Sequence, residues 1–116
     1  MGMDYCYAGS ASYGRFSEEL NAVAELFGAI RDEHTVTKKI AFKITEDVTY
    51  RYKFPKGTPE AFYHWANDPY GDFDHDQTKT IYNFMLSKWE EVKKISPQIA
   101  DELECCIGDD SYWSIH

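Results

Sequence analysis

Three aspartates at alternating positions, Asp72, Asp74 and Asp76, have the spacing that opens a calcium-binding loop. In the EF-hand this opening is followed by a glycine at the sixth loop position and a bidentate glutamate at the twelfth. Gln77 and Asn83 stand at those two positions here, so both diagnostic residues are missing. The pattern therefore predicts no metal site. It indicates a solvated acidic loop in which Asp76 caps the next helix.

Two acidic stretches are suited to meet a basic protein surface instead. Residues 67–76 contain four aspartates, residues 96–116 contain five acids, and neither stretch contains Lys or Arg. Carboxylates on a surface can imitate the phosphates of a nucleic-acid backbone, which carries about one charge per 1.7 Å of duplex. The simpler interpretation is that charged helix faces are only solvated. The candidate partner-binding residues are Asp68, Asp72, Asp74, Asp76, Asp101, Glu102, Asp109 and Asp110.

A different chemistry, the binding of an anionic ligand, is suggested by the segment from Gly9 to Arg15. Its spacing Gly9-x4-Gly14-Arg15 resembles a phosphate-binding P-loop, and backbone amides at a helix start can hold phosphate. However, Arg15 replaces the lysine and Phe16 replaces the magnesium-binding hydroxyl. A glycine-permitted turn whose serines bond the local backbone is the simpler interpretation. The candidate ligand-binding residues of this segment are Gly9, Ser10, Ser12, Gly14 and Arg15.

Charge is segregated along the chain. The net charge is -8, yet residues 36–56 hold six bases against two acids, a net of +4, and the rest holds six bases against eighteen acids, or -12. Alternation places the bases on one face of a predicted hairpin, where they complete the anionic-ligand alternative or pair with an acidic part of the same chain. The bases of this face are Lys39, Lys43, Arg51 and Lys53.

No combination of residue types indicates an active site. The three cysteines are an odd number, which argues against a disulfide framework and suits reduced thiols in a cytoplasmic protein. The four histidines are scattered, and no Cys or Ser carries a local catalytic signature. No apolar run approaches the ~20 residues that span a bilayer. We therefore predict a cytoplasmic protein that is not an enzyme, uses no cofactor and engages no membrane.

Hydrophobic periodicity predicts the elements that position these residues. The apolar stripe of the first helix is Leu20, Val23, Ala24, Phe27 and Ile30, and that of the long helical region is Ile81, Phe84, Met85, Trp89 and Val92. The expected elements are a strand at 3–8, a helix from the N-cap Ser17 to about Asp32, a hairpin at 36–54, a helix from Thr58-Pro59-Glu60 to about Asn67, a helix at 77–95, a helix from Ser96-Pro97 to about Cys106, and a strand at 111–115.

The expected register of the hairpin follows from burial. Ile40, Phe42 and Ile44 alternate with polar residues, and so do Val48 and the aromatic residues after it. Pairing 44 with 48, 42 with 50 and 40 with 52 would bury both apolar sets together around a turn at Thr45–Asp47. This register places Lys39 opposite Lys53, at a small cost in stability.

These elements predict a single α+β domain over residues 1–116, with the order βαββαααβ. The economical arrangement is a small antiparallel or mixed sheet of about four strands, built on the central hairpin, with helices packed on one face. This topology resembles a ferredoxin-like layout with a longer second helical segment, and topology carries no information on function.

The leading expectation is a non-enzymatic acidic binding protein that occludes a basic partner, either a nucleic-acid-binding protein or a nuclease. Its small acidic composition is similar in style to nucleic-acid mimics such as phage anti-defence inhibitors and toxin immunity proteins. Direct nucleic-acid binding is not expected, because phosphate repels an acidic protein. The alternative is a small anionic-ligand or nucleotide-binding domain using the Gly9–Arg15 segment and the basic hairpin face. A third alternative is a homo-oligomeric subunit with Tyr112 and Trp113 exposed at a self-interface, and the sequence leaves the oligomeric state open.

Overall fold

The computed structural model describes residues 2–5, 8–108 and 113–114, with the backbone alone at 2–4, 34, 36, 47–50 and 114. The helices are α1 (Tyr13–Leu26), α2 (Glu60–Asn67), α3 (His75–Met85), α4 (Trp89–Ile95) and α5 (Pro97–Gly108), with a 3-10 turn at Leu86–Lys88 between α3 and α4. The strands are β1 (Gly2–Asp4), β2 (Ser10–Ser12), β3 (Ile30–Ile40), β4 (Lys43–Lys53), β5 (Asp72–Phe73) and β6 (Trp113–Ser114).

The α+β class is confirmed, but the strands do not form one sheet. In the described part of the chain, β1 pairs with β2, β3 with β4, and β5 with β6, giving three antiparallel sheets of two strands each. The expectation of about four strands in one sheet is therefore wrong. The long hairpin is exposed throughout residues 37–46, and the described helices pack mainly against one another.

The described helices and the two short sheets β1–β2 and β5–β6 form the body of the molecule, and the core of this body is aromatic. Trp65 of α2 stacks on Trp113 of β6 with ring centroids 5.3 Å apart, and Phe62 lies 5.8 Å from Trp65. Each large apolar side chain removed from water contributes about 1.5–3 kcal/mol, so this cluster is a major source of stability. The predicted stripe of the long helical region is confirmed at its fully buried members, which are Ile81, Met85 and Val92.

The first helix begins and ends earlier than the sequence indicates. Ser12, not Ser17, is its N-cap, because the Ser12 hydroxyl accepts a 3.2 Å hydrogen bond from the Arg15 amide. At the other end Gly28 has φ +88° and donates to the Glu25 carbonyl, as in a Schellman motif. A Cβ at Gly28 would also meet the Pro55 ring at 2.9 Å. This glycine stops the helix, so Ile30 begins a strand instead of completing the helix stripe.

The later helices also differ in their boundaries. Asp74, not Asp76, caps α3, because its carboxylate accepts from the Gln77 amide at 2.8 Å while the Gln77 side chain accepts from the Asp74 amide at 3.0 Å. The single helix predicted over 77–95 is two helices joined by the 3-10 turn. Thr58 precedes α2 but does not cap it, since its hydroxyl donates to the Pro55 carbonyl instead. The predicted Ser96-Pro97 start is confirmed, with Ser96 Oγ accepting from the Ile99 amide at 3.2 Å.

The hairpin forms, but in a different register and with a different turn. Its turn is Ala41-Phe42, with Ala41 at φ 55°, and Ile40 pairs with Lys43. The predicted turn at Thr45–Asp47 and the pairing of 42 with 50 are therefore wrong. Burial specifies register only where one face is covered, and this ribbon projects into solvent. The observed register places no two like charges directly opposite each other along its whole length.

The root of the hairpin is held to the body by the side-chain amides of Asn67 and Asn21. Asn67, the last residue of α2, accepts from the Tyr52 amide at 2.8 Å and donates to the Tyr52 carbonyl at 3.2 Å. It also donates to the Tyr63 carbonyl at 3.1 Å. Asn67 thus occupies the outer edge of β4 as a neighbouring strand would, and the Tyr52 hydroxyl reaches back to Asn21 Oδ1 of α1 at 3.2 Å.

Replacement of this amide should weaken the hairpin root specifically. Because Asn67→Ala leaves the Tyr52 amide and carbonyl without their side-chain partner, we expect the free energy of unfolding to fall by about 1–3 kcal/mol. Urea denaturation measures the loss, and hydrogen exchange should show faster exchange at the Tyr52 amide. Asn83→Ala, at an exposed position of α3, is the control and should change stability by less than about 0.5 kcal/mol. Equal effects of the two variants would show that Asn67 does not hold the hairpin.

Candidate functional site

The predicted acidic loop is partly structured, and its carboxylates point to solvent. Asp72 and Phe73 form β5, which pairs with β6 so that Phe73 is buried against Trp113 with ring centroids 6.1 Å apart. Strand alternation then turns Asp72 and the following Asp74 outward. Together with Phe73 and Gln77 they line a shallow depression of about 430 Å³.

The loop carboxylates keep their charge available to a partner. Asp68, Asp72, Asp74 and Asp76 are all exposed, and no base of the described chain forms an ion pair with any of them. Asp74 is the exception in its role, because its carboxylate also caps α3. The carboxylates of Asp68, Asp72 and Asp76 make no described side-chain contact that holds the fold. They can therefore bind a partner without loss of an internal contact.

The candidate residues on α5 separate into an exposed one and a buried one. Asp101 is exposed and, with Glu104, lines a second shallow depression of about 360 Å³. Glu102 is completely buried, and its Oε2 accepts from the Ala8 amide at 3.1 Å. The expectation that Glu102 lies on a binding face is therefore wrong, because a helix presents consecutive residues on different sides. Asp109 and Asp110 lie outside the described residues.

Glu102 instead joins the N-terminal segment to α5. Its bond to Ala8 is accompanied by Gln98 of the same helix, whose Nε2 donates to the carbonyls of Ala8 and Ser10 at 3.1 Å each. The two side chains, one helical turn apart, hold the segment that leads into β2. This carboxylate is a structural element of the body rather than part of its outer surface.

The Gly9–Arg15 segment does not form the cradle that an anionic ligand would need. Residues 10–12 are the strand β2, and Ser12 already satisfies an amide at the start of α1. The Arg15 guanidinium pairs with Glu19 at 3.1 Å, and Glu19 accepts from the Ser96 hydroxyl at 2.8 Å. A phosphate here would compete with an internal carboxylate for Arg15.

The basic hairpin face is divided by the observed register. Lys43, Arg51 and Lys53 share one face, as predicted, but Lys39 pairs with Ile44 and belongs to the opposite face. The expectation that all four bases share a face is therefore wrong. Lys53 also makes an ion pair with Asp32 at 3.0 Å, so part of the positive charge is neutralised within the hairpin.

The hairpin tip is a surface that the sequence did not indicate. Ile40, Phe42 and Ile44, assigned to the core from their alternation, are 67%, 102% and 69% exposed. Three lysines and no acid accompany them over residues 37–45. One signal favoured the correct register, since the predicted one opposed Lys39 to Lys53 whereas the observed one opposes each to isoleucine.

The described part of the chain contains neither a candidate metal site nor a candidate membrane span. No group of three or more His, Cys, Asp or Glu residues there could hold a metal ion. No helix among the described residues is long and apolar enough to cross a membrane. Cys105 is exposed, Cys106 is buried, and Cys6 lies outside the described residues. Trp113, expected at an exposed self-interface, is buried, and Tyr112 lies outside the described residues.

Comparison of the chain with known families, with curated proteins and with solved structures finds no significant match.

Removal of the Glu102 carboxylate should cost stability, whereas removal of its neighbour should not. Glu102→Ala takes the acceptor from the Ala8 amide, and we expect the free energy of unfolding to fall by about 1–3 kcal/mol in urea denaturation. Asp101→Ala, one residue away and exposed, is the control, with an expected change within about 0.5 kcal/mol. A Glu102→Ala protein as stable as the control would show that the buried carboxylate has no structural role.

Two tyrosines, the buried Tyr5 and the half-buried Tyr52, should make stability fall at alkaline pH. Burial, with the nearby Glu19 carboxylate as a smaller cause, raises the pKa of Tyr5, and burial also raises the pKa of Tyr52. In the unfolded chain these phenols ionise near pH 10. The contribution of these two phenols to the free energy of unfolding is therefore fully present below about pH 10. It is lost as the pH rises above that value, because the phenols ionise more readily in the unfolded chain than in the folded one.

The two tyrosines differ in their hydrogen bonds, which provides a matched pair. The Tyr5 hydroxyl is buried with no hydrogen-bond partner among the described residues, whereas the Tyr52 hydroxyl donates to Asn21. We expect Tyr5→Phe to keep or raise stability at pH 7 and Tyr52→Phe to lower it by about 1 kcal/mol. Urea denaturation at pH 7 and at about pH 10.5 should show a smaller alkaline loss for Tyr5→Phe than for wild type. An unchanged alkaline loss would contradict this account of Tyr5.

Proposed function

We propose that this protein is a non-enzymatic, cytoplasmic inhibitor that binds a basic protein partner and occludes its nucleic-acid-binding or nuclease surface. The observation that carries the proposal is the set of exposed carboxylates that make no ion pair with the described residues: Asp68, Asp72, Asp76 and Asp101. Unpaired surface carboxylates are available to the lysines and arginines that would otherwise contact phosphates.

Electrostatic attraction would act mainly on the rate of binding. A net charge of -8 overall, and of -12 outside residues 36–56, attracts a basic surface from a distance. Complementary charge accelerates association and disfavours wrong partners more than it increases affinity. The mode of action is steric, because a bound body covers the groove that nucleic acid would enter. Anti-defence inhibitors and toxin immunity proteins provide the biological setting for such a protein.

The anionic-ligand alternative has less support. Its two parts would need free cationic groups and amides, but Arg15 pairs with Glu19 and Ser12 occupies the start of α1. The hairpin bases belong to two faces, and Lys53 pairs with Asp32. Binding through the exposed carboxylates of Asp68, Asp72, Asp76 and Asp101 needs no rearrangement of existing contacts, and for this reason we favour the inhibitor.

The test compares two variants that change the net charge equally at different places. The first carries Asn in place of Asp68, Asp72, Asp76 and Asp101, and it spares the Asp74 cap. The second carries Gln in place of the exposed Glu18, Glu25, Glu60 and Glu91. Each immobilised protein is exposed to lysate of the source cells at low and high salt, and captured proteins are challenged with duplex DNA.

We expect wild type and the Gln variant to capture one basic protein that duplex DNA displaces. Association with that purified partner should slow by at least about tenfold for the Asn variant, since steering changes on-rates by 10–10³. Equal slowing by both variants would show that net charge, not this surface, governs binding. A partner that still binds or cleaves nucleic acid in the complex would refute occlusion.

A further inference from the structure

Among the described residues, the outer edge of β3 is open along its length. In the described sheet β3 has β4 as its sole neighbour, whereas the outer edge of β4 is occupied at its root by Asn67. Because the Tyr52 amide and carbonyl both face Asn67, the pair of Arg31 with Tyr52 makes no ladder hydrogen bonds. Alternation then directs the backbone groups of the odd-numbered residues of β3 away from β4. An open edge of this kind is a template for pairing with another strand.

From this edge we infer that the protein forms a two-fold symmetric dimer in which β3 pairs antiparallel with β3 of a second copy. When β3 is reversed about Thr35, one pair of opposite charges and one pair of isoleucines come to face each other. In that register Asp32 lies opposite Lys38 of the second copy, and Ile30 lies opposite Ile40. Symmetry makes each contact twice. Opposite charges and apolar pairs at facing positions are the contacts that stabilise a sheet.

The backbone pattern agrees with the same register. Pairing about Thr35 places odd residues opposite odd residues, so the groups that point outward from each β3 meet as hydrogen-bonded pairs. The charged and apolar pairs then fall at the positions between them, where facing side chains approach most closely. One contact is unfavourable, because Arg31 lies opposite Lys39 of the second copy, but Glu33 is diagonal to that lysine and next to Arg31 on the same face.

A second copy also accounts for the exposed apolar residues of the hairpin. Ile30 is 70% exposed and Phe42 fully so, and an isolated two-stranded ribbon is only marginally stable in water. In the dimer each hairpin forms one half of a four-stranded sheet with the strand order β4–β3–β3–β4. The tip residues 41 and 42 come opposite residues 29 and 28 of the second copy, at the root of its hairpin. A two-fold contact of this kind closes on itself and does not propagate into fibres.

An anionic surface is the competing occupant of the hairpin. The tip lysines could attract nucleic acid or acidic lipid, but the chain carries eight net negative charges, and β3 itself contains Asp32 and Glu33. Asp32 already pairs with Lys53 of its own hairpin at 3.0 Å, and self-pairing places Lys38 of the second copy beside it as a further cation. An anionic surface would be repelled by both acids, so these contacts favour the second copy.

Symmetric cross-linking provides the direct test. In the proposed register Thr35 faces Thr35 of the second copy, at a Cα separation of about 5.5 Å that permits a disulfide. Thr37→Cys is the matched control, because its counterpart would lie roughly four residues, about 13 Å, along the strand. We expect Thr35→Cys to give a disulfide-linked dimer in mild oxidant and Thr37→Cys to give none above the wild-type level. Equal cross-linking of both variants, or none for Thr35→Cys, would overturn the register.

Sedimentation velocity tests the assembly without new cysteines. We expect wild type to sediment as a dimer, and Lys38→Glu to weaken dimerisation by about tenfold, since each of two attractive pairs becomes repulsive. Lys43→Glu makes the same change of charge on β4, away from the contact, and should shift the dissociation constant by less than about threefold. A wild-type monomer at about 100 µM would refute the dimer, and more decisively if it bound duplex DNA or phosphatidylserine vesicles through the hairpin lysines.

Discussion

The stacking of Trp65 on Trp113 is the contact on which both exposed surfaces depend. It brings β6 from the C-terminal region against β5, and this pairing holds Phe73 in the core while the neighbouring aspartates face solvent. On its other side Trp65 contacts Phe62, which packs against Phe54 at 5.2 Å, directly after β4. A single aromatic cluster therefore positions the acidic loop around β5 and the root of the hairpin. Loss of this packing would release both surfaces together, because close-packed cores transmit strain rather than absorb it.

The molecule consists of two chemically different parts. The helical body carries most of the acids. Several of its exposed carboxylates, on the acidic loop and on α5, form no ion pair with a described base. The hairpin has a basic and apolar tip that is exposed along residues 37–46. If the hairpin pairs with a second copy, the dimer presents two acidic bodies to the solvent. Two linked binding surfaces can raise the apparent affinity for a partner without any new contact.

Helical periodicity was a reliable guide, and sheet alternation was not. The stripe of Ile81, Met85 and Val92 is buried as predicted, because a helix that packs on a core must place one face inward. Ile40, Phe42 and Ile44 alternate just as regularly and yet are exposed. Alternation reports burial only if something covers one face of the strand, and the hairpin extends beyond the body. Ser17, Thr58 and Asp76 were reasonable caps by residue type, but other residues occupy the cap positions.

The sequence by itself determined the α+β class, the aromatic core helices, the existence of a hairpin and the separation of charge between the hairpin and the rest of the chain. These properties depend on local periodicity and on residue counts. Only the tertiary structure decided that Glu102 is buried while Asp101 is exposed, that Asn67 holds the outer edge of β4, and that the hairpin turns at Ala41-Phe42. Each of these depends either on contacts between residues far apart in the chain or on whether another element covers the strand. The spacing of residues along the chain predicts neither of these.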